Sequence, residues 1–335
     1  MKLKHYTIPV FIPEVACPFQ CIYCNQRNIS DRLKEPTEEE IIETIEQHLI
    51  TIPKVNSCIE FGFFGGNFTG IEMDKQEKYL KLVYPYIQKK IIQGVRLSTR
   101  PDYINKDILE LLKSYHVTTI ELGAQSMDEE VIRLSGRGHT VNDIEEASYL
   151  IRQKGISLGL QMMIGLPGDT LEKAIATAKK IVNLGANNTR IYPTLVIKDT
   201  ELEKWYLQNK YTPLTMEKAV DWTKEVYKIV ETGNVTVLRM GLHPSKGLIT
   251  GETLIAGPFH VSFGELVFTA IWKEKFAPIT ANGKNNIIIS VPPGELNNAI
   301  GYNASNKKML QKNFKSVKFK TDLSLSRRDF YVDYC

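Results

Sequence analysis

The 335-residue sequence has few of the features that place a protein in a membrane or an oxidising compartment. No apolar run reaches the roughly 18 residues that a membrane-spanning helix needs. Cysteine is rare, with five residues, and the basic start of the chain is interrupted by Pro9, Pro13 and Glu14, unlike a signal peptide. We therefore expect a cytoplasmic protein, without membrane contact, whose thiols stay reduced.

Charge of one sign is also scarce, because the net charge is only +4 and charged residues make up 24% of the chain. Such a balance is ordinary for a globular protein and does not by itself indicate nucleic-acid binding. Basic residues nevertheless crowd the C-terminal end: Lys307, Lys308, Lys312, Lys315, Lys318, Lys320, Arg327 and Arg328. The first four are predicted on or beside one helix, either as a solvated face or as a phosphate-binding patch.

Three of the five cysteines, Cys17, Cys21 and Cys24, stand within eight residues. This spacing lets three thiolates of one loop bind three irons of a 4Fe–4S cluster, which leaves the fourth iron open for another ligand. A structural zinc site, which usually needs four ligands, and a chance grouping are the alternatives. The other two cysteines, Cys58 and Cys335, are far away in the sequence.

Short β-rich runs alternate with helical patterns as far as residue 240. Strands are predicted at 6–12, 57–64, 95–99, 118–122, 157–164 and 189–196, with a possible seventh at 235–240. Helices are predicted between them, two of which begin with the capping boxes Thr37–Glu40 and Asp74–Glu77. The alternation indicates a parallel sheet, either doubly wound or an open (β/α)6 barrel. Polar motifs follow several strand ends, which favours the barrel.

The alternation fails after residue 240, so we divide the chain into a barrel at 1–240 and a small α+β lobe at 241–335. In the lobe, helices are predicted at 260–274 and 305–313. Strands are predicted at 286–291, 316–320 and 329–334, and a Pro-Pro-Gly turn follows the first of them.

Polar and glycine residues follow the strand ends. Adjacent glycines at Gly65 and Gly66, followed by Asn67, allow backbone groups to approach a ligand closely. Thr99 ends the third strand, where its hydroxyl can contact a ribose or a carboxylate, although a capped turn explains it as well. Glu121 stands inside an apolar strand, which a buried ion pair explains as well as a functional role does.

Three further side chains are candidates for ligand contacts. Arg137 lies between two glycines and is a natural bidentate partner of a carboxylate. Gln125 follows the fourth strand, and Gln161, within the fifth, can point its amide into a barrel. His139 is more simply interpreted as a residue that supports the following helix.

The pattern Cys-x-x-x-Cys-x-aromatic-Cys, with Tyr23 at the aromatic position, resembles the signature of the radical S-adenosylmethionine (SAM) superfamily. The resemblance implies a 4Fe–4S cluster on the three cysteines, with SAM on the open iron. It implies reductive cleavage to a 5′-deoxyadenosyl radical, a flavodoxin- or ferredoxin-type electron donor, and a partial barrel. Tyr23 would lie against the adenine. The SAM contacts would come from Gly65, Gly66, Asn67, Thr99, Gln125, Arg137 and Gln161. The commoner family pattern has Glu where this chain has Asn67.

Four short motifs between residues 96 and 170 resemble those of two branches of that superfamily. The motifs are Ser-Thr-Arg-Pro-Asp, Glu-Leu-Gly-Ala-Gln-Ser, Gly-Arg-Gly-His-Thr and Ile-Gly-Leu-Pro-Gly-Asp-Thr. One branch is the catalytic subunit of Elongator, here without an acetyltransferase domain, and the other is oxygen-independent coproporphyrinogen III oxidase. Three functions follow as alternatives: an enzyme on RNA such as tRNA, an enzyme on a small or porphyrin-like molecule, and a cluster or haem carrier.

Overall fold

The structure is a computed structural model that describes residues 3–12, 17, 21–25, 34–281 and 283–335. Its strands are β1 (Lys4–Ile12), β2 (Ser57–Gly65), β3 (Gly94–Thr99), β4 (Val117–Gln125), β5 (Ser157–Ile164), β6 (Asn188–Pro193), β7 (Val196–Ile197), β8 (Thr236–Met240), β9 (Leu254–Ala256), β10 (Asn286–Val291), β11 (Ser316–Thr321) and β12 (Tyr331–Tyr334). Its α-helices are α1 (Glu38–Thr51), α2 (Met73–Gln88), α3 (Lys106–Ser114), α4 (Glu129–Leu134), α5 (Val141–Gln153), α6 (Leu171–Asn183), α7 (Glu201–Leu207), α8 (Met216–Thr232), α9 (Lys246–Thr250), α10 (Phe263–Phe276), α11 (Leu296–Ile300) and α12 (Ser305–Leu310).

Seven parallel strands form the main sheet, in the order β1-β2-β3-β4-β5-β6-β8. Strands that follow one another along the chain are neighbours in the sheet, and the sheet is curled into a half-barrel. Helices connect the strands, as parallel pairing requires. The predicted partial barrel with a C-terminal lobe is therefore confirmed, with the possible seventh strand present as β8.

Apolar residues of the strands and of the inner helix faces form the main core, and Ile8, Phe61, Leu97 and Leu160 are fully buried in it. The Thr37–Glu40 capping box at the start of α1 is present. The predicted Asp74–Glu77 box is wrong, because α2 begins one residue earlier and Glu72 precedes it without a side-chain cap. Among the described residues, no helix combines the length and the apolar character that crossing a membrane requires.

Helix α10 belongs to two cores. Phe263 and Val267, in its first half, pack into the main core, whereas Trp272 and Phe276, near its end, pack into a second core with β10 and β11. The lobe is thus fastened to the barrel by one continuous helix. Arg328 adds to this attachment, since its Nη1 donates to the Glu231 carboxylate of α8 at 2.6 Å.

The lobe contains a three-stranded sheet in the order β11-β10-β12, with β10 parallel to β11 and antiparallel to β12. Helix α12 ends at Leu310, three residues before the predicted end, because the chain turns there and buries Phe314. Of the four lysines predicted on or beside this helix, Lys307 and Lys308 lie on α12, and Lys312 and Lys315 lie just beyond its end.

Candidate functional site

A cavity of about 410 Å³ opens at the carboxyl ends of the barrel strands. Five residues that the sequence singled out line it together: Tyr23, Cys24, Gly65, Gln125 and Gln161. They come from four separate segments of the chain, and the parallel sheet brings them to one edge. The convergence of the motifs at the barrel mouth, which the sequence only indicated, is thus present in the structure.

The cysteine loop is held against the barrel mouth by backbone hydrogen bonds. The N–H of Ile22 donates to the carbonyl of Ser135 at 3.1 Å, and the carbonyl of Ile22 accepts from the N–H of Leu202 at 2.7 Å. Cys21 is buried, whereas Cys17 and Cys24 are half-buried, and none of the three is in a disulfide. The three thiols are therefore available as ligands, with Cys24 facing the cavity.

Arg137 is buried behind this loop and connects it to β4. Its Nη1 donates to Cys21 Sγ at 3.4 Å and to Tyr23 Oη at 3.3 Å, and its Nη2 donates to the carbonyl of Gly123. Burial raises the pKa of Tyr23 above its ordinary value, although Arg137 acts in the opposite direction. The phenol is therefore neutral at physiological pH.

Two of the residues predicted to contact a ligand each have a buried polar atom that lacks a partner within the described part of the chain. These atoms are Nε of Arg137 and Oε1 of Gln125. Gln125 ends β4 with a φ of +65°, beside an irregularity in the β4–β5 register, and this backbone aims its side chain into the cavity. A buried donor and a buried acceptor without partners are costly unless a ligand satisfies them.

The donor set fits an iron–sulfur cluster with a polar organic ligand. In the part of the chain that the structure describes, no three His, Cys, Asp or Glu side chains are close enough to hold a single metal ion. A four-iron cluster, in contrast, takes each thiolate on a separate iron. The three cysteines, none of them in a disulfide, together with the unsatisfied groups of Arg137 and Gln125, match a cluster whose ligand carries both an amino and a carboxylate group.

Asn67 and Thr99 are placed beside each other rather than in the cavity wall. Thr99 Oγ1 donates to Asn67 Oδ1 at 2.6 Å, and the Thr69 hydroxyl is 2.5 Å from that of Thr99. Both side chains are nearly inaccessible, at 5% and 2% exposure. The structure thus joins them into a link between the ends of β2 and β3, and their contact with a cofactor stays a prediction.

The two glycines after β2 differ in what the structure requires of them. Gly65 has a φ of +108°, and an added Cβ would collide with the carbonyl oxygen of Ile12 on β1. The close β1–β2 approach therefore accounts for glycine at this position without any ligand. Gly66 follows the strand and is half-buried, and its predicted contact with a ligand is not tested by this geometry.

Gln161 belongs to a buried polar network centred on Glu121. Its Nε2 donates to Glu121 Oε2 at 3.0 Å, and the same carboxylate accepts from Arg190 Nε at 2.6 Å and from Arg96 Nη1 at 3.1 Å. Glu121 is 1% exposed. Although burial acts in the opposite direction, the hydrogen bond and the charge of Arg190 hold the pKa of Glu121 below its usual range. Glu121 is thus part of a buried network of ion pairs with Arg96 and Arg190, as one of its two interpretations from the sequence predicted.

The sequence analysis missed part of the cavity wall. Arg190, Tyr192, Arg239 and His243 line the cavity on the side of β6 and β8. A glutamate inside an apolar strand requires a buried cation nearby, but this pattern does not say which strand supplies it. Arg96 lies on the neighbouring β3, whereas Arg190 lies on β6, two strands away from β4. No comparable pattern marks Tyr192, Arg239 or His243.

His139 lies behind Arg137 and not in the cavity wall. Burial, with the charges of Arg137 and Arg100, lowers its pKa to about 3. Its imidazole is therefore neutral at physiological pH. The following helix α5 is capped by Thr140, so His139 supports the loop rather than capping the helix.

Comparison with known proteins identifies the family. The model of the radical SAM superfamily matches residues 12–181, and that of the radical SAM C-terminal domain matches residues 186–273. The chain belongs to the radical SAM superfamily. Radical SAM proteins use a 4Fe–4S cluster and SAM, which agrees with the donor set described above. The protein is thus a radical SAM enzyme.

The relatives lie in the Elongator-like branch of the radical SAM superfamily. A tRNA uridine(34) acetyltransferase of Dehalococcoides mccartyi is 25% identical over 62% of this chain and 52% of its own length. An uncharacterized protein of Methanocaldococcus jannaschii is 31% identical over 64% of this chain and 68% of its own length. The archaeal Elp3 of Methanocaldococcus infernus shares the fold, with a TM-score of 0.66 and 21% identity over 82% of this chain and 64% of that one. The chain thus spans about half the length of the acetyltransferase.

Proposed function

We propose that this radical SAM enzyme modifies RNA, with tRNA as its substrate class. The observation that carries the proposal is the part of the cavity wall that β6 and β8 supply. There, Arg190, Arg239 and the ring of Tyr192 line the same cavity as Tyr23 and Cys24. Cations and an aromatic ring suit a nucleotide, with its phosphate and flat base. The relationship to a tRNA uridine(34) acetyltransferase supports the same substrate class.

In this proposal Cys17, Cys21 and Cys24 hold the cluster. When bound, the cluster and SAM supply a 5′-deoxyadenosyl radical that removes a hydrogen atom from the substrate. The SAM contacts would come from Tyr23, Gly65, Gly66, Asn67, Thr99, Gln125, Arg137 and Gln161. A flavodoxin- or ferredoxin-type protein would supply the electron, and a cytoplasmic location would keep the thiols reduced.

Arg137 has the central positioning role. It already contacts the Cys21 thiol and the Tyr23 hydroxyl, and its Nε has no partner among the described residues. A carboxylate placed there would complete its hydrogen bonds. Glu121 in turn holds Arg190 and Gln161 in fixed orientations at the cavity, so that little reorganisation is needed when a substrate binds.

The division of work between the two parts of the chain is also proposed. The barrel, at residues 1–240, would carry the chemistry, and the lobe, at residues 241–335, would stand beside its mouth. Leu242 and His243, just past this boundary, line the cavity, so the first residues of the lobe would contribute to its wall.

The test is the release of 5′-deoxyadenosine from SAM by anaerobically reconstituted, chemically reduced protein. We expect bulk tRNA to raise the rate, and deuterium from perdeuterated tRNA to appear in the released 5′-deoxyadenosine by mass spectrometry. Release that tRNA does not change, together with unlabelled 5′-deoxyadenosine, would contradict the proposal. Release stimulated instead by a porphyrinogen would support the small-molecule alternative.

A further inference from the structure

The lobe has the chain path of a compact RNA-binding module. Strand β10 leads through α11, a four-residue loop at 301–304 that contains a 3-10 turn at Tyr302–Ala304, and α12 into β11, which pairs parallel to β10. Ile287, Ile289 and Val317 face the helices, and α10 packs on the same side through Phe276. Three helices therefore cover one face of a three-stranded sheet. This β-α-α-β path, with a tight loop between two short helices, is that of KH modules, whose Gly-x-x-Gly loop holds single-stranded RNA.

We propose that this lobe binds single-stranded RNA at the loop 301–304, which reads Gly301-Tyr302-Asn303-Ala304. Gly301 has a φ of +86°, and an added Cβ would meet Ser305 Oγ at 2.8 Å and Asn306 N at 3.0 Å. Asn303 and Ala304 have φ values of +52° and +58°. Ala304 thus takes the left-handed backbone that the second glycine of a KH loop favours.

The loop is fixed from behind by α10. The N–H of Tyr302 donates to Thr269 Oγ1 at 2.8 Å, and Asn306 Nδ2 donates to the carbonyls of Thr269 and Ala299 at 3.0 and 3.2 Å. Asn306 is buried, whereas Asn303 is exposed. The outer side of the loop is therefore preorganised, which lowers the entropy lost when a strand of RNA binds.

The charge of the lobe suits phosphates. Residues 277–335 contain nine lysines and arginines against four carboxylates, so their net charge is +5. The rest of the chain has a net charge of −1, which gives the +4 of the whole chain. Among the described residues, no ion pair involves Lys307, Lys308, Lys312 or Lys315. Between β10 and the end of β11 the sequence has one carboxylate, Glu295, and it accepts from Trp272 Nε1 at 2.9 Å. No free carboxylate thus competes for these lysines.

A chain of contacts connects the loop to the cavity wall. The Tyr302 ring packs edge-on against His260, with centroids 5.2 Å apart, just before α10 begins. Phe263, the first residue of α10, packs on Gly241, and the next residue, Leu242, lines the cavity. RNA held at the loop would therefore run beside the barrel mouth. The inference extends the proposed function, but binding here requires no radical chemistry.

The experiment measures fluorescence anisotropy of a labelled oligouridine RNA of about 12 nucleotides with the full chain. Asn303→Asp places a negative charge on the loop. Lys308→Glu replaces a positive charge on the adjacent helix α12 with a negative one. We expect each to weaken binding and the pair to weaken it by about tenfold or more, with a smaller dependence of affinity on salt. The matched control is Lys318→Glu, on the opposite face of the same sheet, which should change affinity by less than about twofold.

Three results would overturn the inference: equal weakening by Lys318→Glu, no weakening by the loop pair, or tighter binding of a duplex of the same length. Circular dichroism melting shows whether each variant is folded. If the double variant is not folded, Asn303→Asp alone, a substitution at an exposed position, is used for the comparison. Failure of the wild-type chain to bind oligouridine, with tRNA-stimulated 5′-deoxyadenosine release intact, would refute this site alone. The reverse result would refute the proposed chemistry alone.

Discussion

In the barrel, Arg96 and Arg190 share the carboxylate of Glu121, whereas in the C-terminal lobe Lys307 and Lys308 stand on a short helix without an ion pair among the described residues. Glu121 is 1% exposed, so its partners cannot be replaced by water. The lysines of the lobe are accessible to solvent to different degrees and keep their hydration.

The difference shows two uses of positive charge in one chain. Buried arginines have fixed partners and hold side chains in place at the cavity, because an unpaired charge there would be costly. Lysines without partners contribute little to stability but remain free to meet a polyanion. Variants in one region can therefore be compared with variants in the other, or with variants at an exposed neighbouring residue.

The largest effect is expected at the cysteine loop. Cys17→Ser, Cys21→Ser or Cys24→Ser should remove the cluster, because each thiolate holds a separate iron. Cys58→Ser in the barrel and Cys335→Ser in the lobe should retain about four irons per chain after anaerobic reconstitution. Iron and sulfide analysis measures the cluster content of each variant. Full iron content in the variant with serine at all three of Cys17, Cys21 and Cys24 would show that these residues do not bind the cluster.

Next comes the buried network. Glu121→Gln leaves Arg190 without its carboxylate partner and Arg96 with Glu60 alone, and we expect a loss of about 3–5 kcal/mol in the free energy of unfolding. Asp333→Asn removes the exposed partner of Lys320 in the lobe and should cost less than about 1 kcal/mol. Urea unfolding of both variants makes the comparison. Equal losses would mean that burial does not separate the two regions.

Arg137→Ala should weaken SAM binding by about 1.5–3 kcal/mol, the contribution of a charge-assisted hydrogen bond. The control is Arg133→Ala, an exposed arginine at the end of α4, which should leave the affinity unchanged. Isothermal calorimetry on protein with full iron content measures both. Unchanged affinity in Arg137→Ala would limit this residue to supporting the Cys21–Tyr23 loop.

The smallest effect is on pH dependence. Burial raises the pKa of Asp169, at the turn after β5, to about 7, whereas the unfolded chain has a value of about 4. Between these values the folded state keeps a proton that the unfolded state has lost, so stability falls as pH rises from about 4 to 7. In the lobe, the hydrogen bond from Ser324 lowers the pKa of Asp322, so its contribution is lost as pH falls.

Asp169→Asn should flatten the loss of stability between about pH 5 and pH 7, because the amide still accepts from the N–H of Gly165. Urea unfolding at a series of pH values gives the slope for both proteins. Parallel slopes in the wild-type protein and the variant would mean that another group titrates in this window.

Much of the barrel could be predicted because its signals are local. The apolar runs of β2 and β5 and the capping box of α1 each lie within one segment. The cavity-lining position of Gln125 followed from its place at the end of β4, and that of Gln161 from an amide inside an apolar strand. The partners of Glu121 could not be predicted in the same way, because Arg96, Gln161 and Arg190 come from three other strands.

The lobe was harder to predict for a different reason. Its helices are short, and α11 follows a Pro-Pro-Gly turn without the periodic pattern of a longer helix. The loop 301–304 depends on left-handed backbone at Asn303 and Ala304, and alanine gives no sequence signal for it. The contact of Tyr302 with His260 joins segments 42 residues apart and appears only in the folded chain.

The proposed division between a catalytic barrel and a lobe that binds RNA is tested most directly by the rate of 5′-deoxyadenosine release as tRNA is titrated. We compare the wild-type protein with the Asn303→Asp, Lys308→Glu variant. The account predicts equal release without tRNA, and a tRNA concentration for half-stimulation that is about tenfold higher or more in the variant. Identical titration curves for the two proteins would contradict it.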